Sequence, residues 1–560
     1  MKATTLFSRA LLSANTKPIC GVTAKPLLGT ISRKYCERKE LPEIRKSYND
    51  LKNFVRERFK PNFLIQQEHV FPVNQTDLSQ IDIYGFDYDY TLAEYSDDMQ
   101  IFIYQTASNI LCKKYKFPAD IMKEKYNPDF CVRGLHYDIK RGLMMKIDER
   151  HIVQLDTVFH GRRKLNSEEA LRQLETVHIP KEVMDRSCFR GSEVLQQLTD
   201  IFSLPEMCLL ANVVEYFTSR SIKFDPTKVF QMVERSVREV HTDGYLFREV
   251  TANVERYLRK CCLVPLITKL EEDKKKLFLL TNSPYPCVSV GMRHMLGEFW
   301  REAFEVIIVE ANKPNFFDQR PQPFKTLQFQ DCRYKSVSWD TINELKKGEI
   351  YCEGSSGELM KLMGWDNRQV MYFGDQIYAD LETPNLSSGW STCAVIHELK
   401  HEIDIMNSPG FYRSVVWVQT LERLIDRAQV HQDAESRQLV RDWLIERKNV
   451  KADLKNVFNK NFGSVFRTSL QGSYFSSRLC RVADIYTSSV MNLCKYGPDK
   501  IFFPPRGSLP HEQLVSVGYR HDGFDAALET ALKTLDFLKH RMTETPTEID
   551  TWQYNVCSGV

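Results

Sequence analysis

The sequence predicts a doubly wound α/β protein: a parallel sheet covered on both faces, interrupted by a large inserted domain and followed by a helical C-terminal region. Three observations lead there. Five short, nearly continuous apolar runs read as buried strands: Ile81–Phe86, Leu277–Leu280, Phe304–Val309, Val370–Phe373 and Thr392–Ile396. A parallel strand packed under helices on both faces needs apolar side chains at successive positions, not alternate ones. Segments of helical period, such as Ser356–Met363, separate the runs. The first four runs each lead into polar residues, where an open parallel sheet binds its ligand.

Taken in order, residues 1–36 contain no Asp or Glu but carry Lys2, Arg9, Lys17, Lys25, Arg33 and Lys34. Leu6, Phe7, Leu11 and Leu12 can share one face of a short helix. A basic, hydroxyl-rich, acid-free leader is a mitochondrial transit signal, and Arg33-Lys34-Tyr35-Cys36 fits a matrix-protease site. The expected location is the mitochondrial matrix, with the cytoplasm as the alternative. Residues 37–80 read as a charged N-terminal arm. The sheet core is expected from 81–104 and 266–409, because the stretch between Phe86 and Leu277 is too long for a strand crossover. Residues 105–265 are therefore an inserted domain, helical at Ile201–Phe217 and Thr227–His241 and strand-like around Met144–Leu155. Residues 410–522 are helical and charged, as in Thr420–Val430 and Asp433–Asp453, and 523–560 read as a last helix and tail.

Composition sets outer limits. The chain has 560 residues and a mass of 65.5 kDa, room for three or four structural blocks. With 42% apolar and 27% charged residues it is globular in type. Lys+Arg 76 against Asp+Glu 73 gives a net charge of +3, so charge makes no case for a nucleic-acid partner. No apolar run approaches the ~20 residues of a membrane span. The 15 cysteines are scattered without a C-x-x-C pair, which reads as reduced thiols and argues against structural zinc.

The residues after the strands carry the chemistry. The first strand leads to Asp87, Asp89 and Thr91, the second to Thr281, Asn282 and Ser283, the third to Lys313, and the fourth to Gly374, Asp375 and Asp380. Carboxylates, a lysine and a hydroxyl-amide loop in one crevice suit phosphoryl transfer. Asp87 is the candidate nucleophile, forming an aspartyl phosphate and so splitting one hard displacement into two easier ones. Its charge repels the phosphate, which calls for a bridging Mg²⁺. Hard oxygen ligands are available from Asp87, Asp375 and the backbone carbonyl of Asp89. The Asp89 side chain is then free as general acid toward the leaving oxygen and as base toward water. Thr281, Asn282 and Ser283 are candidate phosphate contacts, and Lys313 would stabilise transition-state charge.

These four motifs resemble those of the haloacid dehalogenase superfamily of phosphatases. More narrowly, residues 45–500 resemble the cytosolic purine 5′-nucleotidase group and the 5′-nucleotidase domain-containing proteins. The strings "YGFDYDYTLAEY", "RGLHYDIKRGLMMKID", "LTNSPYPCVSVGMRHM" and "YFGDQIYADL" carry the likeness. The resemblance implies a Mg²⁺-dependent phosphomonoester hydrolase acting on nucleoside monophosphates, with the inserted domain as its cap. It implies Asp87 as nucleophile, Asp89 as acid and base, Asp87, Asp89 and Asp375 as metal ligands, and Asp380 behind them orienting the metal site or Lys313. It also implies a homo-oligomer. The alternative is a scaffold or regulatory protein that keeps the fold with little turnover. One departure stands out. Where the purine enzymes place an Arg and, a turn later, an Asp toward the base, this chain has Glu234 and Arg238, and Phe247 stands in place of a lysine. Reversed charges cannot make the same hydrogen bonds, so purine specificity does not carry over.

Several local patterns have plainer readings. His397-Glu398-Leu399-Lys400-His401 matches the H-E-x-x-H zinc helix, but it follows a strand directly and lacks a third downstream ligand. It reads as a helix start. Glu353-Gly354-Ser355-Ser356-Gly357 lacks the G-K-[ST] ending of a phosphate loop and reads as a helix cap. Lys274, Lys275 and Lys276 read as a solvated turn, and Tyr474, Phe475 and Tyr486 as packing residues.

Overall fold

The computed structural model of this chain describes residues 40–58 and 64–505, apart from 188–191, 261, 319, 331–332, 339, 431–432 and 470. The expected leader at 1–36 and the expected final helix at 523–560 lie outside the described residues.

A mixed α/β architecture is built on a ten-stranded sheet. In chain order its strands are β1 (Val70–Pro72), β2 (Ile83–Phe86), β3 (Lys276–Leu280), β4 (Val306–Val309) and β5 (Phe324–Gln330). They continue with β6 (Arg333–Val337), β7 (Ile350–Glu353), β8 (Val370–Gly374), β9 (Ser391–Val395) and β10 (Ile485–Thr487). Across the sheet the order is β1-β10-β9-β8-β2-β3-β4-β7-β5-β6. Every pairing from β10 to β7 is parallel. Only the edges, β1 on one side and the β5–β6 hairpin on the other, run antiparallel.

The continuous apolar runs have a direct cause. Successive residues of a strand point to opposite faces, and here each face has its own core. Tyr84, Phe86, Leu277, Leu279, Met371 and Phe373 belong to one buried cluster. Ile83, Phe278, Leu280, Val370 and Tyr372 belong to the other. Phe86 stacks on Phe373 across the β2–β8 pair with ring centroids 4.9 Å apart. Truncating either of these fully buried rings to alanine would cost about 3–5 kcal/mol.

Two expectations need correcting at the sheet edges. Residues 410–522 are not helical throughout. They supply helices at Pro409–Ala428, Ala434–Asn456 and Tyr474–Val482, but also β10, which sits between β9 and β1. Likewise the N-terminal arm adds β1 as well as the helix Glu40–Arg58. Three-residue strands are too short to print a period, and their place is decided by the neighbouring strand they bond to. The lysine run also departs from a fully solvated turn: Lys275 Nζ donates to the Ile81 carbonyl at 2.6 Å and ties the start of β3 to that of β2.

Although β2 and β3 are hydrogen-bonded neighbours, the chain between Phe86 and Lys276 leaves the sheet and returns. This insertion holds a five-stranded antiparallel sheet whose spatial order is Arg163–Lys164, Phe159–His160, Leu143–Met145, Leu135–Asp138 and Leu195–Leu198. Of the expected strand-like stretch around Met144–Leu155, only Leu143–Met145 is a strand of this sheet. Around the sheet lie the helices Asp97–Lys113, Ser203–Ser219, Pro226–Thr242 and Tyr245–Ala252. The helix Pro226–Thr242 shows why these segments form. Asp225 caps it, accepting from the Thr227 and Lys228 amides, and Pro226 opens the first turn, where no amide hydrogen is needed. Its stripe of Val229, Val233, Val237 and Val240 is buried, leaving Glu234 and Arg238 off that face.

Candidate active site

At the carboxyl ends of β2, β3, β4 and β8 lies a cavity of about 240 Å³ lined by Asp87, Asp89, Thr281, Asn282, Ser283, Lys313, Asp375 and Asp380. The candidate catalytic, phosphate-binding and metal-ligating residues singled out from sequence meet here, while Thr91 and Gly374 are not among the lining residues. The sheet ladder places the first of them. The Asp87 amide donates to the Phe373 carbonyl at 2.9 Å, carrying the β2–β8 pairing one residue past the strand. The side chain of Asp87 is thereby held at the sheet edge, where it is only 6% exposed.

Lys313 is the electrostatic centre. Its Nζ donates to Asp87 Oδ1 at 2.7 Å, to Asp380 Oδ1 at 2.6 Å and to the Tyr372 hydroxyl at 3.0 Å. Tyr372 in turn donates to the Leu280 carbonyl at 2.7 Å, so all three lysine protons have fixed destinations. Burial works to lower the Lys313 pKa, but the Asp380 and Asp87 carboxylates outweigh it and hold it well above the usual value. Burial pushes Asp380 up to about 7, against the pull of Lys313.

Asp89 is held differently. Its Oδ1 accepts from the Tyr95 hydroxyl at 2.6 Å and its Oδ2 from the Ser283 hydroxyl. Burial, and then the charge of Asp87, raise it to about 6 despite those two hydrogen bonds. The Asn282 side chain also has a task of its own. Its Oδ1 accepts from the Lys313 amide at 2.6 Å and its Nδ2 donates to the Lys313 carbonyl at 3.0 Å, so it clamps the backbone that carries the lysine. Thr281 Oγ1 accepts from the Ser283 amide at 3.1 Å and closes the same loop.

Past β8, Gly374 lets the chain fold back on itself. A Cβ there would lie 2.2 Å from the Asp380 Cβ. The π-helical turn Ile377–Glu382 carries Asp380 back over the site, and the Gln376 amide donates to Asp380 Oδ2 at 3.2 Å. Asp87, Asp375 and Asp380 each bring a carboxylate oxygen within 4.8 Å of the others, and all three residues are buried. Asp375 Oδ2 is buried without a hydrogen-bond partner, although Arg133 Nη1 forms an ion pair with it at 3.6 Å, and burial, then the nearby charge of Asp200, raise its pKa well above normal. An all-oxygen anionic set of this kind fits a hard divalent cation.

Sequence reasoning missed three residues. Tyr95 orients Asp89. Asp200, from the insertion, lines the cavity. Arg133, also from the insertion, has a fully buried side chain and donates to Glu398 Oε2 at 2.6 Å and to the Asp375 carbonyl at 3.1 Å. Its guanidinium lies 5.1 Å from the centre of the Phe475 ring. Nothing in the local pattern separates Arg133 from an ordinary surface arginine. Its role appears only when Glu398, Asp375 and Phe475 surround it.

That arrangement also accounts for the H-E-x-x-H string. His397 precedes the helix Glu398–Asn407, and its Nε2 lies 2.7 Å from the Tyr90 carbonyl. Glu398 is engaged by Arg133, and His401 is exposed. Ser355 caps the helix Ser356–Met363 by accepting from the Glu358 amide. Glu234 and Arg238 pair with each other at 2.5 Å and do not line the cavity, whereas Phe247 does.

Comparison with known proteins agrees with this geometry. The sequence model of the 5′ nucleotidase family matches residues 70–514. A curated relative from Rattus norvegicus, 5′-nucleotidase domain-containing protein 2, is 41% identical over 469 residues, covering 83% of this chain and 84% of its own. The Homo sapiens protein of the same name is 42% identical over 451 residues, covering 80% of this chain and 86% of its own. Among solved structures, a predicted phosphoglycolate phosphatase from Haemophilus somnus aligns over 56% of this chain and 85% of its own, at 11% identity and a TM-score of 0.23. That likeness is too slight to carry an argument.

Proposed function

The chain belongs to the 5′ nucleotidase family of hydrolases, and from that premise we propose that its cavity hydrolyses nucleoside monophosphates, dependent on Mg²⁺, through an aspartyl phosphate on Asp87. In this reading the parallel sheet is a haloacid dehalogenase core, the insertion is its cap, and residues 1–36 direct the chain to the mitochondrial matrix.

The observation that carries the reading is the different treatment of two carboxylates in one cavity. Asp87 faces Lys313 beside Asp375 and Asp380, while Asp89 is held apart by two hydroxyl groups. Asp87 attacks phosphorus and the bond from phosphorus to the leaving oxygen breaks. Asp89 gives that oxygen its proton. Asp89 then takes a proton from water, whose oxygen attacks the phosphorus of the aspartyl phosphate, releasing phosphate and restoring Asp87. Burial that brings Asp89 to about 6 suits a group that must both give and take a proton near neutrality. The Lys313 ammonium, already fixed by three partners, needs little reorganisation to meet developing charge. Bound between the carboxylates of Asp87 and Asp375 and the Asp89 carbonyl, Mg²⁺ would supply the positive charge that offsets repulsion between Asp87 and the phosphate.

Phosphate release from a panel of nucleoside monophosphates and sugar phosphates tests this, with and without Mg²⁺ and beside Asp87→Asn. The expected result is Mg²⁺-dependent release that the substitution abolishes while the far-ultraviolet circular dichroism stays the same. Release that persists in Asp87→Asn would exclude the aspartyl intermediate. No release from any compound would favour a scaffold that keeps the fold without turnover.

A further inference from the structure

The chain departs from the core into the insertion and comes back through a narrow neck, and Tyr95 stands in that neck. It forms an antiparallel bridge with Leu258. On either side of the bridge the Ser96 amide donates to the Tyr257 carbonyl at 2.7 Å and the Arg259 amide to the Glu94 carbonyl at 2.8 Å. The outgoing and returning segments are thus joined around this residue. Its ring is buried, with its centroid 5.1 Å from that of Tyr90 and 6.1 Å from that of Phe202, which caps the helix Ser203–Ser219 of the insertion. With backbone and ring both held, the hydroxyl donates to Asp89 Oδ1 at 2.6 Å. The Ser283 hydroxyl takes the other carboxylate oxygen. A carboxylate can turn about its own bond, and two donors on opposite oxygens fix its plane. Ser283 belongs to the loop after β3, whereas Tyr95 brings the neck of the insertion to the same group.

We propose that Tyr95 is a positioning residue that makes the aim of Asp89 depend on the insertion being seated on the core. This rests on the hydrolase reading above, in which Asp89 protonates the leaving oxygen, and it deepens that reading by naming what holds the acid in line. A proton donor works only within hydrogen-bond reach of the atom it protonates. Misplacing such a group by about 1 Å costs roughly a hundredfold in rate. That cost falls only on leaving groups that need a proton. A nucleoside would leave as an alkoxide, a strong base, and must be protonated as its bond to phosphorus breaks. The para-nitrophenolate anion is stable enough to leave without a proton. Loss of the Tyr95 hydroxyl is therefore felt by the first ester and not by the second, whereas general damage to the site is felt by both.

The experiment compares kcat/KM for a nucleoside 5′-monophosphate and for para-nitrophenyl phosphate, using the full chain with saturating Mg²⁺. This quantity covers the steps up to departure of the leaving group and omits the later attack of water. Tyr95→Phe keeps the ring and removes only the hydroxyl. It should lower the nucleotide value by about ten- to a hundredfold and leave the aryl ester within about threefold. Phe202→Leu takes the insertion's ring off Tyr95. It should lower the ratio of nucleotide to aryl efficiency in otherwise unaltered protein and add nothing to that change in Tyr95→Phe protein. Equal losses for both esters, or no loss for the nucleotide, would overturn the positioning role. So would a loss that lies wholly in nucleotide affinity, measured by calorimetry on Asp87→Asn protein with and without Tyr95→Phe, since Tyr95 would then be a substrate contact. A Phe202→Leu effect that persists in full beside Tyr95→Phe would overturn the link to the insertion. If the unaltered protein releases phosphate from neither ester, the hydrolase reading falls and takes this one with it. Release that both substitutions leave untouched brings down this one alone.

Discussion

Arg133→Met tests whether the insertion holds the site loop through a buried charge. The Arg133 side chain is 0% exposed and joins three elements: Glu398 at 2.6 Å, the Asp375 carbonyl at 3.1 Å and the Phe475 ring at 5.1 Å. Methionine refills most of the aliphatic volume but supplies no charge. Breaking a buried pair by removing one partner costs about 3–5 kcal/mol, mainly through the charge left behind. Glu398 keeps 26% of its side chain exposed and can be partly rehydrated, which puts the cost near the low end. A loss of about 3 kcal/mol corresponds to roughly a hundredfold change in the folded-to-unfolded ratio. Urea unfolding of Arg133→Met, Glu398→Gln and the double variant measures it. The double-variant cycle should return a coupling of about 1–3 kcal/mol, as expected for residues in direct contact. Because Arg133 also holds the Asp375 backbone, Mg²⁺ should bind the variant more weakly, readable by calorimetry. A single-variant cost under about 1 kcal/mol, or additive effects of the two substitutions, would refute the view that this charge pins the loop.

Other outcomes follow from the same geometry. Burial raises Asp89 to about 6 and Asp380 to about 7, above the ~3.9 of an unfolded aspartate. A carboxyl group so raised contributes stability that is present below ~3.9 and lost as pH rises through its folded value. Proton and metal also compete for this cluster, so the rise in Tm on adding Mg²⁺ should grow from pH 5 to pH 8. A pH-independent rise would contradict the assignment. Gly374→Ala would place a Cβ 2.2 Å from the Asp380 Cβ, costing about 1–3 kcal/mol in Tm measurements. It should reduce phosphate release more than tenfold by displacing Asp380. By contrast, Glu234→Gln and Arg238→Gln remove an i,i+4 pair on a helix surface. Each should change stability by no more than about 0.5 kcal/mol and leave relative kcat/KM values among nucleotides as they were. A shift in base preference would show that this helix face reaches the substrate.

The central strands were legible because a parallel strand with a core on each face has no choice but to be apolar at nearly every position, as Leu277–Leu280 and Val370–Phe373 are. The candidate site was legible for a related reason. In a parallel sheet all carboxyl ends lie on one edge, so polar residues just after each strand must come near one another. β1 and β10 were not legible, since three residues carry too little pattern and their partners lie far away in the chain. The five short strands of the insertion stayed mostly hidden for the same reason.

By itself, then, the sequence determined the parallel core, the order of its chemistry-bearing loops and the identity of Asp87, Asp89, Lys313, Asp375 and Asp380. Those follow from local composition, and local composition is printed in the chain. Only the tertiary structure decided that Asn282 clamps the Lys313 backbone, that Glu398 accepts from Arg133, and that Tyr95 and Asp200 face the cavity. Each of those roles depends on the direction of a side chain toward a partner distant in sequence, and no spacing rule encodes a direction set by packing.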